Sequence, residues 1–181
     1  QGSNIKEVDE ALKSASKKGT GESGFPDFTA KVKDFLIVIE DKSDLSKHCK
    51  LDSNSCIDLD NIKSITDYAV NGAIHYAKHL AKNTSFKKII AIGVSGDEKH
   101  HKISPYFINE RGILDKKLND LETFTLLNED NIESYYSQEI LNITPKEETT
   151  DEEVKQDAEY LHECLRNYGA IKDADKPLIV S

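Results

Sequence analysis

Two runs in this chain are apolar at nearly every position: Phe35 to Ile39, and the core of "KKIIAIGVSG" at residues 87–96. Strands covered on both faces read this way, so both are predicted as central strands. Phe28 to Val32 alternates as a flanking strand, with Asp34 marking the turn between them. "ISPYFI" (103–108) is predicted as an edge strand, because Pro105 has no N–H to give a ladder, and "ETFTLL" (122–127) as one more. Ile5, Val8, Leu12 and Ala15 form one stripe of a helix over residues 4–18, which "KKGTGESG" then breaks as a mobile loop. Residues 43–60 are polar and irregular. Asp60 is the expected cap of the next helix, whose inner stripe is Ile62, Ile65, Ala69, Ala73, Ala77 and Leu80. A later helix spans 151–168, with acids at its start, Val154, Ala158, Leu161 and Leu165 along one face, and Gly169 closing it. "DADKPLIVS" opens another, capped by Asp173 or Asp175. The order α, β, β, α, β, β and then helices predicts a mixed α/β sandwich over residues 4–128. Residues 129–181 are expected to form a helical extension leading into a further domain.

Composition narrows the class. A chain of 181 residues, 37% hydrophobic and 31% charged, suits one globular domain, and no apolar stretch approaches the roughly 20 residues a membrane span needs. Gln1-Gly2-Ser3 reads as an expression remnant rather than a signal sequence. Three cysteines without a CxxC pair suit reduced thiols and a cytoplasmic location. The chain has no methionine, which is expected of a fragment without its native start, or of a sequence from which modified methionines have dropped. A net charge of −9 excludes a polybasic nucleic-acid binder, but the charge is unevenly placed. Residues 77–102 carry Lys78, Lys82, Lys87, Lys88, Lys99 and Lys102 with three histidines and two acids. Residues 129–163 carry twelve acids against two lysines. A phosphate backbone would favour the first region and avoid the second; solvated faces are the plain alternative.

The candidate chemistry lies where the first central strand ends in Glu40-Asp41-Lys42. Alternation puts Glu40 and Lys42 on the face that Leu36 and Val38 bury, and Asp41 on the other. A carboxylate and an ammonium at the rim of a core need a reason, because partial desolvation is costly. A hard cation supplies one: Mg²⁺ takes one or two carboxylates, keeps several waters and binds phosphate, with Mn²⁺ the substitute. Asp27, at the start of the neighbouring strand, is the expected second carboxylate, and the backbone carbonyl of Asp41 a further ligand. Lys42 would orient or deprotonate the attacking water and offset charge at a scissile phosphate.

Pro26-Asp27 followed thirteen residues later by Glu40-Asp41-Lys42 resembles the PD-(D/E)XK nuclease superfamily. E-x-K and D-x-K also occur at Glu153-Val154-Lys155 and Asp115-Lys116-Lys117, but neither follows an apolar strand; Pro26-Asp27 is the one Pro-Asp pair in the chain. The run through "GFPDF", "IEDK", "TDYAVNGAIHYAKH" and "GVSGDEKHH", with the tail "LHECLRNYGAIKDADKPLIVS", is similar to the N-terminal nuclease domain of restriction enzymes. These are of the type I R-subunit kind or of the kind that fuses nuclease and adenine-N6 methyltransferase. The resemblance implies a restriction-endonuclease-like core and Mg²⁺-dependent cleavage of double-stranded DNA. It implies a downstream methyltransferase, which would hold the S-adenosylmethionine, target-recognition domains or subunits, and a dimer for double-strand cleavage. It also implies an acid on the preceding helix, for which Glu7 and Glu10 are the candidates. A glutamine and a tyrosine are implied on the helix after the motif. Tyr76 matches the tyrosine; Gly72 stands where the glutamine is expected, with Asn71 or His75 as substitutes.

Other signals are weaker. "DEKHHK" (97–102) is expected to contact phosphate through Lys99 and His100 rather than hold zinc, since adjacent histidines do not easily converge on one ion. His48-Cys49 with Cys56 has no ligand spacing. "GTGESG" lacks the Lys-Ser/Thr of a phosphate loop, and Gly93-Val94-Ser95-Gly96 is not a nucleophile elbow. The rival readings are a non-catalytic module of the same fold, used for DNA contact or subunit assembly, and a same-fold exonuclease or junction resolvase.

Overall fold

A computed structural model describes residues 3–142. Its centre is a five-stranded sheet in the order β1-β2-β3-β4-β5, built from Phe28–Val32 (β1), Phe35–Lys42 (β2), Lys88–Gly96 (β3), His101–Ile108 (β4) and Leu114–Lys117 (β5). β2 and β3 are parallel and every other pair is antiparallel. Three helices precede or separate the strands: α1 (Lys6–Leu12), α2 (Ile62–Asp67) and α3 (Ala69–Asn83); a short α4 (Ile132–Tyr135) follows them. The fold is α/β with a mixed sheet flanked by helices, as the pattern predicts.

Both central strands are buried on two sides, which is why they are apolar throughout. Leu36, Val38, Ile89, Ala91 and Ile108 face α1 and α3, where Val8, Leu12, Ala73, Ile74, Ala77 and Leu80 complete one core. Phe35, Ile37, Ile90, Ile92 and Phe107 face the opposite layer, closed by Leu118, Leu127, Ile132 and Tyr135. The described residues belong to one compact unit, Gln1–Ile143. The helices expected over 151–168 and from 173 lie outside the described residues.

Three expectations are corrected. The helix expected after residue 60 is two helices, because Tyr68 is extended (φ −116°, ψ 135°), and its cap is Asn61, whose side chain accepts the Lys63 N–H at 2.9 Å, rather than Asp60. β4 is an interior strand. The C=O of Pro105 accepts from the Leu118 N–H at 3.0 Å, so its nitrogen faces the β5 side just beyond that strand's end, where no ladder donor is required. Residues 122–127 hold a 3₁₀ turn, Thr125–Leu127, instead of a strand. β5, in contrast, has the polar sequence LDKK and no alternation to betray it.

Candidate active site

β2 continues past its apolar part to Lys42, and its pleat sets the site. Glu40 follows Leu36 and Val38 on the α3 face and is 2% exposed; Asp41 is exposed on the other face, and Lys42 returns half-buried to the Glu40 side. The β1–β2 ladder ends at Phe28 and Ile39, so the next cross-strand positions are Asp27 and Glu40. Asp27 is fixed there by its own Oδ2, which accepts the Asp41 backbone N–H at 2.8 Å. Its carboxylate borders a cavity of about 170 Å³ and raises the Glu40 pKa by its proximity.

The strongest partner of Glu40 comes from neither strand. Lys17 Nζ lies 2.6 Å from Glu40 Oε2, with Lys42 Nζ at 3.4 Å from the same oxygen. Burial pushes the Glu40 carboxyl above the ordinary glutamate range, Lys17 and then Lys42 oppose that rise, and Asp27 adds to it. The loop after α1 delivers Lys17. It closes through Ser16 N–H to Glu22 O and Gly24 N–H to Leu12 O, both 3.0 Å, and turns at Gly19 and Gly21 with φ of 67° and 71°. Gly72 makes room for the amine: a Cβ there would stand 2.9 Å from Lys17 Nζ and 3.1 Å from Glu40 Oε2. Gly93, the β3 partner of Glu40, does the same for α3, since a Cβ would stand 2.6 Å from the Val70 nitrogen. Two bare positions thus let α3 settle onto the end of the sheet. Nothing periodic in "SKKGTGE" marks Lys17. The one trace of it is Gly72, a vacancy where the family resemblance expects a long polar side chain.

Tyr76 is brought to this place. Its ring lies under the Lys17 ammonium, 4.9 Å from the centroid, and its hydroxyl is held in the neutral form by burial first and then by the charges of Glu40 and Asp27. His75 stacks edge-on against Tyr76 at 5.4 Å and its Nε2 meets the Ala15 carbonyl at 3.3 Å. Asn71 is fully buried but turned elsewhere: its amide clamps the Lys50 backbone from both sides and also bonds Asp58 O. Glu10 is engaged by Lys13 at 2.8 Å on the surface of α1, and Glu7 by the backbone and hydroxyl of Ser85. Lys99 and His100 are exposed in the β3–β4 turn, where Asp97 accepts both their backbone N–H groups. β2 and β3 run parallel, so this turn stands at the sheet end where Lys42 lies.

A second polar group, also unmarked in the sequence, braces the same end. Asp120 accepts from the Ser104 hydroxyl (2.6 Å), Ser104 meets His48 Nε2 (2.7 Å), and His48 Nδ1 meets Ser95 (2.8 Å), the β3 partner of Lys42. The chain of donors is complete with a neutral imidazole carrying its proton on Nε2.

Among the described residues no group of three or more histidine, cysteine, aspartate or glutamate side chains is close enough to hold a metal ion. The two carboxylates that could share one are Asp27 and Glu40, a set suited to a hard cation that keeps its remaining ligands as water. No described helix is long and apolar enough to cross a membrane.

Comparison with known proteins gives one kind of answer. No family model matches the chain, and no solved structure matches it. It is, however, 39% identical over 183 aligned residues to the type II restriction enzyme and methyltransferase RM.BcgI of Heyndrickxia coagulans, and the match covers the whole of this chain but 28% of that protein. From end to end, then, the chain is similar to a part of a protein named as both restriction enzyme and methyltransferase, and it spans little more than a quarter of that protein's length.

Proposed function

We propose that this chain is the DNA-cleaving module of a restriction-modification enzyme of the PD-(D/E)XK superfamily, hydrolysing phosphodiester bonds with a divalent cation, Mg²⁺ or Mn²⁺. The observation that carries the reading is the buried Glu40 at the end of β2, with Asp27 in the next cross-strand position and two lysine amines on one of its oxygens. An unpartnered carboxylate so deep would be costly, and two ammonium groups beside it are what an anionic, charge-accumulating centre requires.

The donor set fits the cation: Lys17 and Lys42 both act on Oε2 of Glu40, Asp27 offers the oxygen not taken by the Asp41 N–H, and the Asp41 carbonyl is adjacent. Bound there, the ion would polarise the phosphate and lower the pKa of a coordinated water. Asp27 and Glu40 would hold it. Lys42, partly exposed at the rim, orients the attacking water and offsets charge on the phosphate, while Tyr76 and Lys17 fix the carboxylate from behind. Glu10 and the Asp41 side chain stay outside this set. Double-stranded DNA is the substrate, and target recognition and S-adenosylmethionine-dependent methylation belong to the rest of the full-length protein or to its partners. A dimer would supply the second strand's cut.

The test compares wild-type full-length protein with Lys42→Ala on supercoiled plasmid and Mg²⁺. The variant is expected to lose nicking and linearisation by a factor of about 100 or more while its DNA binding persists. Equal cleavage by both would remove Lys42 from the mechanism.

A further inference from the structure

We infer that the outer stripe of α3 is a seat for the phosphodiester backbone of the DNA strand being cut, in a cleft of about 240 Å³ lined by Leu59, His75, Lys78, His79 and Lys82. The identity of the ligand rests on the nuclease reading above; the cleft and its charge do not. His75, Lys78, His79 and Lys82 are spaced i, i+3, i+4 and i+7, so they form one line along the helix. Nine other lysines are paired with carboxylates, but among the described residues neither Lys78 nor Lys82 is. The three acids of the neighbouring α1 are engaged, Glu10 by Lys13, Glu7 by Ser85 and Asp9 by Ser3. The charged neighbours that bear on His75 are Lys17, His79 and Lys78, all basic. Both imidazoles are anchored through Nε2, to Ala15 O at 3.3 Å and Ala11 O at 2.9 Å, which fixes their planes in the wall. The result is a concave strip of one charge sign with two amines unneutralised.

Phosphate in a polymer fits this strip better than a free nucleotide. The lining has amines, imidazoles and one leucine, and no phenyl, phenol or indole face for a base to stack on, so it suits backbone contact without sequence readout. From His75 to Lys82 the helix rises about 10 Å, and one DNA strand presents a phosphate about every 3.4 Å of axis. Because the backbone winds around that axis, its phosphates lie farther apart than this rise, and the strip suits about two of them, one for each of Lys78 and Lys82. It is continuous with the Glu40 site: His75 stacks on Tyr76, and Tyr76 lies under the lysine that holds Glu40.

The test is duplex binding by the full chain in EDTA, followed by fluorescence anisotropy as salt is raised. Lys78→Ala/Lys82→Ala is expected to lower the slope of log affinity against log salt by about 2 and to weaken binding at low salt by about tenfold. Lys78→Arg/Lys82→Arg should retain both. In the unmutated chain, duplex should protect Lys78 and Lys82 from amine acylation and leave Lys33, which pairs with Glu133 on the opposite layer, open. An unchanged slope, absence of protection, or a wild-type chain that binds no duplex at low salt each overturns the inference. Acylation decides the matter if the alanine variant misfolds. Because no cleavage is read, a failed nuclease assignment would show separately, as plasmid that Lys42→Ala and wild type treat alike.

Discussion

Glu40 is where residue-level energetics and chemistry meet. Its burial is tolerable because Lys17, itself mostly buried at 14% exposure, contributes an ion pair that Lys42 alone at 3.4 Å would not replace. Removing one partner of a buried pair leaves an uncompensated charge, a loss of several kcal/mol when fully buried. Lys17→Ala should therefore lower the unfolding free energy at neutral pH by about 2 kcal/mol, discounted for the pair's open edge. Adding Glu40→Gln should recover more than half of it, since no charge is then stranded. Urea denaturation of both variants measures this. A single variant as stable as wild type would mean that Lys17 does not support Glu40. Of these residues, Asp27, Glu40 and Lys42 were readable because hydrophobic patterning locates strand ends. Lys17 reaches the site from a glycine loop whose closure depends on main-chain hydrogen bonds that no side-chain pattern encodes.

At the scale of elements, the two fully buried strands and the stripe of α3 were legible because burial on defined faces leaves a period in the sequence. The break at Tyr68, the interior position of Pro105 and the short polar β5 were not, since each is decided by what the chain meets in three dimensions. His48 belongs to that second kind. It ties the 43–60 segment to β3 and β4 through two serines, and its backbone carbonyl accepts the Val70 N–H at the start of α3 at 2.9 Å. Burial, aided by Lys102, depresses its pKa to about 4. The unfolded chain, with an ordinary imidazole, takes up the proton first as pH falls below about 6.5. Stability contributed by neutral His48 is thus complete above that value, declines between about 6.5 and 4, and falls no further below. Denaturation at successive pH values should show wild type losing about 2 kcal/mol more than His48→Gln over that window. Parallel curves for the two proteins would mean that His48 titrates alike in both states.

Over the whole molecule, an acidic chain of net charge −9 carries, among its described residues, a basic strip without carboxylate partners beside the place where two carboxylates and two amines converge. A module similar to 28% of a restriction enzyme and methyltransferase needs no broad basic surface if the remaining protein holds the DNA. Under the proposed function, what it must supply is a site for the cation. The most direct measurement is Mn²⁺ binding to this chain by electron paramagnetic resonance, for wild type, Asp27→Asn and Glu40→Gln. The account predicts one bound ion per chain in the wild type and at least tenfold weaker binding in each variant. Undiminished binding in both variants, or none in the wild type, would contradict it.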